Sequence, residues 1–96
     1  MSVVTLRMFG NLRTILAASE HRIDVEGKDM TIGHFLGSLI GQYGQQLRQE
    51  LFDTEGEIKL RYAVLINGRN IASLSGLATK LKDEDVVAIL PVVEGG

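Results

Sequence analysis

A chain of 96 residues, 45% of them apolar, is sized for one domain around one core. Its 10 Lys and Arg against 12 Asp and Glu, a net charge of −2, offer no basic run for a phosphate backbone, which argues against nucleic acid as a partner. With 0 cysteines, it has no disulfide, thiolate metal site or cysteine nucleophile.

The apolar stretches are too short for a membrane span, and the N-terminus lacks a charged-then-apolar leader, so the expectation is a cytoplasmic protein with no membrane partner. His21 and His34 have no neighbouring ligand set, and no metal site is expected. Neither a nucleophile elbow nor a Gly-rich phosphate loop is present.

The first element is a strand at 3–9, VVTLRMF, with Val4, Leu6 and Met8 on one face and Val3, Thr5, Arg7 and Phe9 on the other. Gly10-Asn11 ends it. Leu12 to Ala18 reads as a short helical turn that turns Leu12, Ile15 and Leu16 inward. A second strand at 21–26 puts Ile23 and Val25 on the core side, before a turn at Gly27-Lys28-Asp29.

The main helix is expected over 32–48 with Thr31 as N-cap. Ile32, Phe35, Leu36, Leu39, Ile40, Tyr43 and Leu47 form its apolar stripe. Gly33, Gly37, Gly41 and Gly44 form a second stripe, each costing about 1 kcal/mol against alanine. Close packing of helix on sheet accounts for such a stripe; a docking groove is the sharper alternative. Residues 48–60 read as a long loop with Leu51 and Phe52 tucked inward.

Tyr62, Val64 and Ile66 then alternate in a third strand, and Asn67-Gly68 signals a tight turn into a short strand near Asn70–Ala72. Leu74 to Lys82 is irregular, anchored by Leu77 and Leu81. A polar turn, Lys82 to Asp85, leads into the last strand, Val86–Leu90, which Pro91 terminates. The expected core face gathers Val4, Leu6, Met8, Ile23, Val25, Tyr62, Val64, Ile66, Val87 and Ile89. The opposite face carries Phe9, Ala63, Leu65, Val86, Ala88 and Leu90, an apolar patch of the kind that marks a partner site.

This order of elements predicts an α+β fold, a mixed sheet covered on one face by one main helix, with the first and last strands parallel at its centre: the β-grasp or ubiquitin-like roll. Residues 1–91 would form the single domain and 92–96 a flexible tail. That tail ends Pro91-Val92-Val93-Glu94-Gly95-Gly96. Two glycines bury nothing and cost chain entropy, but a tip without side chains threads a narrow slot and presents a bare carboxylate to another protein.

The segments Val64-Leu65-Ile66-Asn67-Gly68 and Leu77 through Gly96, with the opening Val3-to-Arg13 segment, closely resemble the MoaD family. That family is the small, sulfur-carrying subunit of molybdopterin synthase. The resemblance spans nearly the whole chain and is most specific in the C-terminal third.

It implies that an E1-like adenylyltransferase uses ATP to activate the carboxylate of Gly96, and that sulfide displaces AMP to leave a thiocarboxylate. It further implies a carrier without a bound cofactor, whose sulfur goes to a molybdopterin synthase large subunit or another sulfur acceptor enzyme. Phe9, Leu65 and Leu90 would bind the partner, and Gly95, Glu94 and Pro91 would shape the tail. The family often has Pro-Pro before its last four residues and a small residue before Gly-Gly. Here Val92 and Glu94 stand instead. Related carriers serve cysteine or thiamin synthesis, and a ubiquitin-like modifier would join Gly96 to a lysine.

Overall fold

The computed structural model describes residues 2–26 and 29–92. The first strand, β1 (Ser2–Met8), buries Val4, Leu6 and Met8 completely, each side chain contributing about 1.5–3 kcal/mol by leaving water. A short helix, α1 (Asn11–Leu16), leads to β2 (Glu20–Val25). Helices α2 (Ile32–Tyr43) and α3 (Gln45–Leu51) follow. Next come β3 (Tyr62–Ile66), the two-residue β4 (Arg69–Asn70), two 3₁₀ turns and β5 (Val86–Pro91).

Among the described residues the sheet order is β2-β1-β5-β3-β4. β1 and β5 are parallel, with Leu6 beside Val87 and Met8 beside Ile89; every other pair is antiparallel. The parallel pair therefore lies inside the sheet, flanked by β2 on one side and β3 on the other. The helices cover one face, and the expected β-grasp arrangement holds. Nine of the ten residues expected on the core face are buried; Ile23 is only half-buried, because β2 is an edge strand.

The expected helix over 32–48 is two helices. Thr31 caps the first, accepting from the His34 amide at 3.1 Å. The break is at Gly44, whose φ of 86° lies in the left-handed region that favours glycine. Leu47 and Leu51 remain buried, but on α3, so the expected loop at 48–60 begins only at Phe52.

The glycine stripe has no single role. A Cβ on Gly33 would meet the Leu77 carbonyl oxygen at 3.1 Å, so this glycine packs on the second 3₁₀ turn rather than on the sheet; Gly37 and Gly41 have nothing within 4 Å. The short strand ends earlier than the expected Asn70–Ala72. The Asn70 side chain accepts from the Ala72 amide at 2.9 Å and bends the chain into a 3₁₀ turn that buries Ile71.

A polar clasp joins the two turns at one end of the sheet. Asp85, only 9% exposed, accepts from the Asn67 side-chain amide at 2.9 Å and from the Lys82 backbone at 2.7 Å. Asn67 in turn accepts from the Val86 amide at 2.9 Å. Read as sequence, Lys82 to Asp85 is merely a polar turn; in the fold, Asp85 fixes the start of β5.

Candidate functional site

β5 delivers the chain's end to the rim of the sheet. Pro91 is paired opposite Tyr62, and the Val92 amide donates to the Arg61 carbonyl at 2.7 Å. Gly10 lies against the same place: its φ is 67°, and a Cβ there would stand 3.6 Å from the Pro91 ring. The chain leaving β1 and the chain leaving β5 thus cross closely, fixing where the tail emerges. Val93, Glu94, Gly95 and Gly96 lie outside the described residues.

Beside this exit the uncovered sheet face carries the apolar set expected from alternation. Phe9, Ala63, Leu65, Val86, Ala88 and Leu90 are all half-buried. Register places them together: Ala63 is opposite Leu90, Leu65 opposite Ala88, and Thr5 beside Val86. The Arg7 guanidinium stands 6.0 Å from the centre of the Phe9 ring, and Arg7 also approaches Glu20 at 3.7 Å. The patch is therefore apolar across β3 and β5 and charged toward β2.

Sequence reasoning missed a second apolar feature at the exit. A cleft of about 430 Å³ is walled by Ile58, Ala63, Ala72 and Leu77, with Leu60 and Val92 among its lining residues. Leu60 is 94% exposed. Its only signal in the sequence is an apolar residue in a polar loop, which is too common to single out.

The strand base is tied to the helices through Tyr62, whose hydroxyl donates to the Glu50 carboxylate; Arg61 approaches the same carboxylate at 3.8 Å. Burial pushes the Tyr62 phenol up to about 12 from 10.0, helped by the Glu50 hydrogen bond and negative charge and opposed by Arg61. Because the folded value is the higher one, this contribution to stability is complete below about pH 10 and is lost as pH rises through 12. In an ultraviolet absorbance titration, one tyrosine should ionise late, and Glu50→Gln should bring that ionisation down. If no tyrosine ionises above the ordinary phenol range, the Tyr62–Glu50 bond does not persist in solution.

Among the described residues there is no cluster of three or more His, Asp or Glu able to hold a metal, and no helix long and apolar enough to cross a membrane.

The sequence profile of the ThiS family matches residues 6–96, so the match continues through Gly95 and Gly96. A curated relative, small archaeal modifier protein 3 of Haloferax volcanii, is 38% identical over 93 residues, covering 95% of this chain and 96% of that protein. A putative sulfur carrier protein of Archaeoglobus fulgidus is 27% identical over 74 residues, covering 77% and 83%. The solution structure of small archaeal modifier protein 1 from Methanosarcina acetivorans superposes with a TM-score of 0.79 at 34% identity, covering 100% of this chain and 98% of that one. The chain belongs to the ThiS/MoaD family of ubiquitin-like sulfur carriers and modifiers.

Proposed function

We propose that this protein is a sulfur carrier whose reactive group is the terminal carboxylate of Gly96. The observation that carries the reading is a family match that runs through the glycine pair, in a chain with 0 cysteines. A carboxylate resists substitution because oxide is a very poor leaving group. An E1-like adenylyltransferase removes that obstacle: a Gly96 carboxylate oxygen attacks the α-phosphorus of ATP, and pyrophosphate leaves. Hydrosulfide then attacks the acyl carbon, AMP departs and the thiol proton is lost to solvent. The product is a thiocarboxylate, nucleophilic at neutral pH. Its sulfur passes to an acceptor enzyme; the large subunit of molybdopterin synthase is the first candidate.

The open sheet face supplies affinity and the tail supplies reach. Phe9, Leu65 and Leu90 form the anchor of the docking surface, with Leu60 at its border. Replacing Leu90 by Glu should weaken binding to the activating enzyme by about 2 kcal/mol or more, measured by calorimetry, with little change in melting temperature. Normal binding combined with early melting would assign Leu90 to the core instead.

Glu94 sets a negative charge beside a carboxylate that must approach ATP. Like charges about 4–6 Å apart repel by about 1 kcal/mol in water and several-fold more in a drier site. The cognate partner therefore offers Lys, Arg or another donor to Glu94. Glu94→Ala should slow adenylation by the cognate enzyme and speed it with enzymes that serve small-residue tails. Equal acceleration with both would remove any role for Glu94 in choosing the partner.

A second reading has a specific observation in its favour: the 38% identical relative is named a modifier. The same acyl-adenylate, handed to a lysine amine instead of sulfide, gives an isopeptide bond. ATP–pyrophosphate exchange with the adenylating enzyme tests the step shared by both. Exchange should require Gly96; its absence with every E1-like enzyme of the host would refute both readings.

A further inference from the structure

We propose a second docking site, independent of the tail chemistry, along the free edge of β2: it takes an extended segment of a partner protein in which apolar residues alternate with Lys or Arg. Strand β2 lies at one end of the sheet. The Met8 amide donates to the Ser19 carbonyl at 2.9 Å, which sets the phase of the ladder. His21, Ile23 and Val25 exchange backbone bonds with β1. Glu20, Arg22 and Asp24 turn their N–H and C=O groups outward, and no backbone partner meets them among the described residues. An added strand finds a ready template there.

The helix side of this edge is grooved. A cleft of about 290 Å³ lies between β2 and α2, walled by Ile23, Val25, Met30, Phe35 and Leu39, with Ser38 at its lip. It explains why Ile23 is only half-buried: α2 stops short of covering the edge. A strand paired with β2 would send every second side chain into this cleft and the others to the open face. On the open face of β2, Asp24 stands exposed beside the side chains an added strand would place there, and neither it nor Glu26 at the strand's end has a cationic partner among the described residues. That acidic edge favours a basic segment.

A second copy of the chain fits less well. Self-pairing that uses most of the strand opposes like charges. Centred on Arg22, it sets Arg22 against Arg22 and Glu20 against Asp24; centred on Ile23, it matches Arg22 with Asp24 but sets Glu20 against Glu26. The tail leaves β5, two strands across the sheet from β2 and at the far end of the strands from Ile23 and Val25, so both can be engaged at once.

The test is amide NMR on the isotope-labelled full chain, titrated with the acetylated, amidated hexapeptide Lys-Val-Lys-Ile-Lys-Val. Shifts should appear at Arg22, Asp24, Phe35 and Leu39, with Leu65 and Ala88 unmoved. The same peptide with Glu in place of Lys should bind about tenfold more weakly. Arg22→Pro removes an outward donor together with a positive charge, so charge alone would strengthen binding and backbone pairing would abolish it. Should that variant fail to fold, Ser38→Lys, on an exposed helix position, is expected to weaken the basic peptide about tenfold by the same repulsion. No shift, shifts centred on Leu65 and Leu90, or equal binding of the acidic peptide would each overturn the proposal. So would concentration-dependent shifts at Arg22 and Asp24 without peptide, which would identify a second copy as the occupant.

Discussion

Deleting Gly95 and Gly96 should abolish ATP-dependent activation while leaving the melting temperature where it was. The last backbone bond of the described fold is Val92 to Arg61, upstream of both glycines. Neither glycine has a side chain to place in the core, so the domain loses no apolar burial with them. The loss of chemistry is total rather than partial because the acyl group that must be activated moves to Glu94, whose side chain would have to enter a slot shaped for none. Pyrophosphate exchange and thermal melting on the same preparation separate the two effects. A large fall in melting temperature would make the tail structural and remove the basis for a carrier.

The second large effect is expected at Asp85. Its carboxylate accepts from Asn67 at 2.9 Å and from the Lys82 amide at 2.7 Å in a nearly closed site. Asp85→Ala leaves both donors without their acceptor, at a cost of about 1.5–3 kcal/mol for bonds to a charged group. For a domain of this size each kcal/mol lowers the melting temperature by roughly 4–8 °C. Asp85→Asn should lose less, since its amide oxygen can still accept from one of the two. Adenylation at a temperature where the variant remains folded should be near normal, because the clasp lies at the opposite end of β5 from the exit. Unchanged melting of Asp85→Ala would show that the clasp is solvated and contributes little.

The strands were the legible part of this fold. In β1, β3 and β5 strict alternation separates Val4, Leu6, Met8, Val64, Ile66, Val87 and Ile89 from their neighbours, and burial follows it residue by residue. The helix break was not legible. Gly33, Gly37, Gly41 and Gly44 look alike in sequence, yet only Gly44 adopts a positive φ among these four. What distinguishes it is the tertiary requirement that Leu47 and Leu51 reach the core at a different angle, which no local pattern carries.

The Asn67–Asp85 clasp was missed for a related reason. Each residue is a good turn residue by itself, and only the pairing of β3 with β5 brings them together. In the candidate site the apolar open face followed from period-two alternation. Gly10, packed on Pro91, and Leu60, exposed at the exit, depend on contacts between segments far apart in the chain.

The most direct test of the central claim is the intact mass of the protein purified from its native host under conditions that preserve thioesters and thioacids. Sulfur carriage at Gly96 predicts a species heavier by the exchange of one oxygen for one sulfur, mapped to the C-terminal peptide and absent when Gly96 is deleted. A chain found only in its unmodified form, or joined through Gly96 to lysines of other proteins, would contradict it.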